Sequence, residues 1–250
     1  MNQMSFRILY QDEYYVAIDK PAGFHVHPPE DLQHRISKRM NCLSLLRDQL
    51  GQFVYPVHRL DRATSGVLIF GLSSEGARRL SEAFQNHQVR KIYYCVTRGW
   101  ISESGLIARP LKVHHDPSLL QESSTLFHRV AQCELDIPVG PYPKARYSLV
   151  QAQPLSGRRH QIRRHLAGEA HPLVGDTVYG RTEHNTLFKN HLKIPGLLLK
   201  AYALEFDHPF APGENQRVRI RSRWDRKWHQ VFDLFQQCPW SGGQPDPNSP

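Results

Sequence analysis

A polar segment at residues 58–66, H-R-L-D-R-A-T-S-G, runs directly into the apolar residues 67–70. The apolar run is short, partly β-branched and bounded by glycines, which predicts a buried strand. Asp61 would then lie on a loop at the mouth of that strand, where functional side chains are often placed. A carboxylate flanked by Arg59 and Arg62 is expected to be ionised at neutral pH, and it could act as a nucleophile or a base. Alternatively, Asp61 only pairs with one of these arginines and fixes the loop.

Other segments have the periodicity of strands or helices. Strands are predicted at residues 6–10, 14–18, 90–96, 141–156 and 197–206. Helices are predicted from apolar residues at helical spacing before Gly51, from the cap at Ser73 or Ser74, and from the aromatic stripe between Trp224 and Phe235. Between residues 101 and 140 the pattern is too weak for a prediction.

The most basic stretch is G-R-R-H-Q-I-R-R-H-L at residues 157–166. Ile162 and Leu166 are four residues apart and would share the buried face of a helix. Arg159 and Arg163 are also four apart, and like charges at this spacing destabilise an isolated helix by about 0.2–0.5 kcal/mol. The pattern therefore predicts that an internal acid, RNA phosphates or both offset the repulsion.

The composition is that of a basic globular protein. Among 250 residues, 32 Lys and Arg against 23 Asp and Glu give a formal net charge of +9. Such a charge favours a polyanionic partner, first RNA or DNA and then an anionic membrane. The four cysteines are scattered without a C-x-x-C pair, which argues against a zinc ribbon and a disulfide framework. No apolar run approaches the length of a membrane span, and no apolar signal core follows Met1, so we expect a cytoplasmic protein.

Several of these motifs resemble those of the RluA-type pseudouridine synthases. Residues 58–66 resemble the family signature H-R-L-D-x-x-T-S-G, whose Asp is catalytic. Residues 157–166 are similar to a second motif, G-R-x-H-Q-I-R-x-H-L. Residues 20–23, K-P-A-G, resemble the first family motif, although the same residues are also an ordinary turn. Tyr93 matches the tyrosine of the family's K-x-Y, although a tyrosine in a strand is usually a core residue.

The resemblance implies an α+β fold, with a single pseudouridine synthase catalytic domain built on a central mixed, mostly antiparallel sheet flanked by helices and loops. We predict that this domain spans residues 1–238 and that the Pro-, Gly- and Ser-rich residues 239–250 form a disordered tail. The S4 RNA-binding module of larger relatives is expected to be absent, since the catalytic pattern begins almost at Met1. No cofactor or metal is implied, and we expect a monomer.

The resemblance also implies roles for five residues. Asp61 would be the catalytic group, and Arg163 would lie against it and supply the opposite charge. Tyr93 would stack on the target base, and Arg59 would insert where that base had been. Ile162 is the remaining residue predicted to contact the substrate.

Finer features resemble the branch of the family that isomerises uridine 65 of tRNA. They include R-G-W at residues 98–100 and Y-P-x-x-R-Y-S-L-V at residues 142–150. The expected partner is therefore tRNA. The alternatives are a synthase that acts on ribosomal RNA or another tRNA position, and a non-catalytic RNA-binding protein in which Asp61 only braces its loop. A metal-dependent nuclease is a third alternative, and it would lose activity with a chelator.

Overall fold

A computed structural model of the protein describes residues 5–26, 40–114, 116–211 and 216–237. The predicted tail at 239–250 and the domain boundary at 238 lie outside the described residues, and both stay predictions. The chain divides into two compact units. Of the described residues, the first contains 5–26, 40–91, 201–211 and 216–223, and the second contains 92–114, 116–200 and 224–237.

Within the described residues, the chain forms twelve strands and five α-helices. The strands are β1 (Ile8–Gln11), β2 (Tyr15–Lys20), β3 (Tyr55–Pro56), β4 (Ser65–Gly71), β5 (Arg90–Arg98), β6 (Ser104–Ala108), β7 (Leu111–Lys112), β8 (Leu120–Gln121), β9 (Ser124–Leu135), β10 (Ala145–Pro154), β11 (Leu199–Asp207) and β12 (Arg217–Arg221). The helices are α1 (Cys42–Leu50), α2 (Ser74–Gln85), α3 (Gln161–Gly168), α4 (Thr182–Thr186), which continues into a π-helical turn (Leu187–His191), and α5 (Arg226–Gln237).

The first unit is organised around β4, which is buried at all seven positions. β2 runs antiparallel to β4, with Tyr15 opposite Gly71 and Lys20 opposite Gly66. β1 pairs with β2, β11 lies beside β4, and β12 pairs with β11. Val67 and Ile69 of β4 share a core with Leu80 of α2. Burial on both faces explains why the strand is a continuous apolar run rather than an alternating one.

The predicted end of α1 at Gly51 and the predicted cap of α2 at Ser73 are both present. Asn41 caps α1 by accepting hydrogen bonds from two amides of its first turn, and Gly51 ends the helix with φ +66°. Ser73 caps α2 by accepting a hydrogen bond from the amide of Gly76.

Gly66 is the residue at which β4 leaves the polar segment. Its φ is +119°, and a Cβ there would lie 2.0 Å from the carbonyl oxygen of Ala201. Both the backbone conformation and the space therefore require glycine. Gly66→Ala is expected to lower the free energy of unfolding by about 3 kcal/mol or more. Urea unfolding would measure this, with Gly157→Ala as the matched control, because no atom lies within 4 Å of a Cβ at Gly157. Equal stability of the two variants would contradict the prediction.

The second unit contains an antiparallel sheet with the order β5-β10-β9-β6. α3 packs on β9 and β10, and α5 packs on β9. Ile162 and Leu166 of α3 lie in the core, which confirms the face predicted for this helix. The buried aromatic residues of α5 confirm its predicted apolar stripe.

Helices packed on largely antiparallel sheets confirm the predicted α+β class. The predicted strands and helices are present. Most of their ends lie within two residues of those expected, but the strand predicted at 141–156 begins only at Ala145, because Tyr142 instead pairs with Val139 in a short turn. A cluster of strands, β6 to β9, occupies the segment for which no prediction was made. None of the helices in the described residues is both long and apolar enough to cross a membrane.

Candidate active site

Asp61 lies half-buried at the start of a turn that leads into β4. The amide of Thr64 donates a 3.0 Å hydrogen bond to the carbonyl oxygen of Asp61, which closes the turn. Asp is favoured at the first position of such turns. Thr64 and Ser65 are buried, whereas Arg59 is exposed. The carboxylate is therefore presented by a short turn whose far end is part of the core.

His58 fixes the other end of this loop. Its Nε2 accepts a 3.2 Å hydrogen bond from the amide of Ile69 in β4, and its ring stacks on Phe84 with the centroids 4.7 Å apart. Burial, assisted by the nearby charge of Lys91, lowers the pKa of His58 to about 3. The imidazole is therefore neutral at physiological pH, and it holds the loop to the strand rather than acting as a proton donor.

The K-P-A-G segment is a structural support for the Asp61 loop. Lys20 is fully buried, and its Nζ donates hydrogen bonds to the carbonyl oxygens of Pro21 (3.0 Å) and Arg62 (3.2 Å). The amide of Gly23 donates to the same Arg62 oxygen at 2.7 Å, and Nε of Arg62 donates to the carbonyl oxygen of Gly23 at 3.1 Å. The residue that follows Asp61 is thus clamped to the end of β2.

Lys20 also affects the charge balance of the loop. Burial lowers the pKa of Lys20 to about 8, although the nearby Cys42 and Asp61 act in the opposite direction. The charge of Asp61 therefore favours the protonated form of this lysine.

Arg163 of α3 forms a buried, two-point ion pair with Asp176. The Nε–Oδ2 distance is 2.7 Å and the Nη2–Oδ1 distance is 2.8 Å, with side chains that are 7% and 0% exposed. The acid beside Arg163 is therefore Asp176. Arg159 lies before α3, which begins at Gln161, so the predicted repulsion between Arg159 and Arg163 within one helix is wrong. Burial alone would raise the pKa of Asp176, but hydrogen bonds from Arg163 and from the amides of Val178 and Tyr179 lower it below its usual range.

The guanidinium of Arg163 is also held from a second side. Its central carbon lies 5.3 Å from the centroid of the Tyr179 ring. The Tyr179 hydroxyl lies 3.1 Å from Nδ1 of His160, the residue before α3, which has a left-handed backbone with φ +54°. A non-glycine residue in this conformation is held there by its surroundings. The guanidinium of Arg163 is thus held by Asp176 on one side and by the Tyr179 ring on the other.

Tyr93 and Ile162 lie against the same core cluster of the second unit. Tyr93 is half-buried on β5, opposite Ala152 of β10. Ile162 is 5% exposed, so only a small part of its surface is open to any substrate. The structure therefore brings these two predicted substrate-binding residues together.

Two further polar residues of the basic motif, Gln161 and His165, are buried and form hydrogen bonds that hold α3. Gln161 accepts hydrogen bonds from the Ser156 hydroxyl (2.7 Å) and the Arg158 amide (3.0 Å). The ring nitrogens of His165 lie within hydrogen-bond distance of the Ser123 hydroxyl (3.0 Å) and the Thr125 hydroxyl (2.9 Å). Burial lowers the pKa of His165. These side chains orient the helix that carries Arg163.

A comparison with protein-family models identifies the family of this chain. The family model for RNA pseudouridylate synthase matches residues 14–168, which is more than half of the chain. The chain belongs to the RNA pseudouridylate synthase family.

Individual relatives of this pseudouridylate synthase match over nearly their whole length. The tRNA pseudouridine synthase C of Vibrio parahaemolyticus is 41% identical over 245 residues, covering 94% of this chain and 97% of that protein. The tRNA pseudouridine synthase C of Vibrio vulnificus is 42% identical over 238 residues, covering 92% of this chain and 95% of that protein. The solved structure of human RNA pseudouridylate synthase domain containing 4 is similar in fold, with a TM-score of 0.68, 22% identity and coverage of 92% of each chain.

Two functional candidates of the pseudouridylate synthase were not among the residues predicted from sequence, namely Asp176 and Lys20. The repulsion predicted between Arg159 and Arg163 called for an acid, but it did not say which one. The K-P-A-G motif contained Lys20, but a turn explained it equally well. Asp61 and Arg59 lie in the first unit, and Tyr93, Ile162 and Arg163 lie in the second.

The described residues offer no group of three or more His, Cys, Asp or Glu side chains that could hold a metal ion.

Proposed function

We propose that this protein isomerises uridine 65 of tRNA to pseudouridine, with Asp61 as the catalytic residue. Membership of the RNA pseudouridylate synthase family and the relatives named tRNA pseudouridine synthase C support the reaction and the substrate class. The observation that carries the assignment of Asp61 is its position, half-buried in a turn that is locked to β4 by His58 and to β2 by Lys20. A carboxylate held in this way loses little freedom when a substrate binds.

The basic surface first gathers RNA through its phosphates, a contact that depends on salt and reads little sequence. A uridine inside a stem cannot reach an enzyme carboxylate, so it must leave the stack. In this proposal, the exposed Arg59 enters the space that the base vacates. Tyr93 then stacks on the extruded uracil, while Ile162 borders it.

Asp61 then promotes cleavage of the N-glycosidic bond, the uracil turns within the site, and it rejoins the ribose through carbon. The product has the same atoms and oxidation state as the substrate, so the reaction requires no redox cofactor. Arg163 is proposed to lie against Asp61 and to offer it an opposite charge. In this proposal the enzyme acts as a monomer in the cytoplasm, with tRNA as its partner.

Tyr93→Ala is expected to lower kcat/KM by roughly 10- to 100-fold, because stacking on a base contributes about 1–3 kcal/mol. Tyr93→Phe keeps the ring and is expected to retain most of the activity. Steady-state assays on a tRNA transcript would measure both variants. If Tyr93→Phe were as damaging as Tyr93→Ala, the hydroxyl would be handling a proton and the stacking role would be wrong.

Excess EDTA is expected to leave turnover unchanged, because every step of the proposed mechanism uses only side chains and RNA. The assay measures release of the hydrogen label from C5 of labelled uridines in tRNA. Magnesium is first replaced by spermidine so that the tRNA stays folded. A metal-dependent nuclease on this scaffold would instead lose its activity when the chelator is added.

The function is tested by mapping pseudouridines in total RNA, with carbodiimide labelling and primer extension, in cells that lack the protein. The cells are complemented with the wild type or with Asp61→Asn. Loss of the position-65 signal in tRNA, restored by the wild type alone, is the expected result. A lost site in ribosomal RNA would overturn the substrate, and the absence of any lost site would favour the non-catalytic RNA-binding protein.

A further inference from the structure

On the surface of the second unit, two arginines each lie against an exposed aromatic ring. These four residues are called here the Trp100 surface: Arg98, Trp100, Tyr142 and Arg146. The guanidinium carbon of Arg146 lies 4.3 Å from the centroid of the Trp100 ring, and that of Arg98 lies 6.0 Å from the Tyr142 ring. Trp100 is 43% exposed and Tyr142 is 56% exposed. Large aromatic side chains that remain this open on a folded surface are a feature of binding sites.

Both rings are attached to anchored backbone. Gly99, with φ +79°, turns the chain directly after β5, and its amide donates a 2.7 Å hydrogen bond to the carbonyl oxygen of Arg146. The indole Nε1 of Trp100 donates to the carbonyl oxygen of Cys133 at 3.3 Å. Tyr142 exchanges two backbone hydrogen bonds with Val139 (3.0 and 3.3 Å). Because the backbone that carries these rings is already fixed, little conformational entropy is lost when a ligand stacks on them.

The charges around the rings are partly balanced and leave a positive excess. Glu134 accepts a 2.7 Å hydrogen bond from Nε of Arg146 and lies 3.1 Å from Nζ of Lys144. Lys144 also pairs with Asp136 at 2.8 Å. These two carboxylates pair with Arg146 and Lys144, and Arg98 adds a third cation beside the Tyr142 ring. Because a guanidinium has five donor hydrogens, the pair with Glu134 orients Arg146 and leaves donors for a second acceptor.

An open aromatic ring next to oriented guanidinium groups matches the chemistry of single-stranded RNA. Bases stack on exposed rings, while arginines contact the phosphates on either side. The net charge of +9 favours such a polyanion over a neutral or basic protein partner. The same surface joins residues 98–100 and residues 142–150, the two segments that the sequence analysis separated from the catalytic motifs.

We infer that the Trp100 surface is a second contact site for the substrate RNA, at which an unpaired base stacks on Trp100 or Tyr142 while Arg98 and Arg146 bind neighbouring phosphates. The inference rests on the proposed function in one respect, namely that the RNA is the tRNA on which Asp61 acts. The site holds the RNA and performs no chemistry.

The first test measures the affinity of the full chain for an unmodified tRNA transcript, in the Asp61→Asn background so that no turnover occurs. Trp100→Ala combined with Tyr142→Ala is expected to raise Kd by about 10-fold or more at constant salt. Trp100→Phe, which keeps a ring, is expected to retain most of the affinity. The matched control is Phe53→Ala, which removes a ring that is 69% exposed and has the guanidinium of Arg47 5.1 Å above it. An unchanged Kd in the double variant would overturn the inference.

The second test separates stacking from charge. A blunt RNA duplex has no free base, so the double aromatic variant is expected to bind it as tightly as its parent does. An equal loss of affinity for the duplex would show that the rings only support the arginines, and the stacking site would be wrong.

The third test separates this inference from the proposed function. With Asp61 intact, the double aromatic variant is expected to raise KM for tRNA by about 10-fold and to leave kcat unchanged. An unchanged KM would overturn the second contact site. If the wild type had no activity on tRNA, the proposed function would fail, while the Kd measurements would still decide whether the Trp100 surface binds RNA.

Discussion

Asp61→Asn is expected to lower kcat by roughly 10⁴-fold or more and to leave the Kd for tRNA unchanged. The amide has nearly the same shape as the carboxylate, but it carries no charge and is neither a nucleophile nor a base of comparable strength. The hydrogen bonds that Thr64, Gly23 and Lys20 donate to the loop go to the backbone carbonyl oxygens of Asp61 and Arg62, and the substitution keeps these acceptors in place. Binding and chemistry should therefore separate in this one variant.

Single-turnover assays with enzyme in excess would measure the loss, and a nitrocellulose filter assay would measure Kd. Asp116→Asn is a matched control, since it makes the same chemical change at an exposed turn, where the carboxylate accepts hydrogen bonds from Ser118. The control is expected to keep full activity. Activity of Asp61→Asn close to that of the control would mean that Asp61 only braces its loop.

Asp176→Asn is expected to lower the free energy of unfolding by about 3–5 kcal/mol, because it removes the negative charge from a buried, two-point ion pair with Arg163. Glu82→Gln breaks a pair with Arg78 on the exposed face of α2, and it should cost about 1 kcal/mol or less. Chemical denaturation of the two variants, side by side, measures the difference. If the variants were equally stable, the pair of Arg163 and Asp176 would not be part of what holds α3.

The pH dependence of the Asp176 effect has a definite sign. The folded state lowers the pKa of this carboxyl, so the folded protein binds its proton less readily than the unfolded chain does. The stabilisation is present above the unfolded pKa, about 3.9, and is lost as the pH falls through the folded value. The difference in the free energy of unfolding between the wild type and Asp176→Asn should therefore be constant near neutrality and become smaller below about pH 4.

Local patterns in the sequence were sufficient wherever a single element determines its own structure. The apolar run after Gly66, the caps at Ser73 and Gly51, and the aromatic stripe of α5 all predicted elements that are present. Each of these signals depends on residues that are close in sequence. At these positions, the intrinsic preference of the residues and their burial favour the same structure. Asp61 belongs to this group, since its motif is continuous.

The rest of the site depends on contacts between distant parts of the chain. Asp176 lies thirteen residues from Arg163 in sequence, and Glu169 is closer, so only the packing of the loop after α3 selects the partner. Lys20 meets Arg62 across forty-two residues. β9 was missed because its twelve residues mix buried, half-buried and exposed positions without regular alternation. Its place is set by the partners β10 and β6 on either side.

The complete burial of β4 limits how far the Asp61 loop can move, because both ends of that loop are held to buried strands. His58 is bonded to Ile69 in the middle of that strand, and Thr64 and Ser65 are already inside the core. The amides of such a strand exchange with solvent only when the whole unit opens, whereas most enzyme loops open locally at little cost. Displacing the ends of the Asp61 loop would thus require breaking contacts with β4 and β2, so hydrogen exchange at the amides of β4 should report on the opening of this loop.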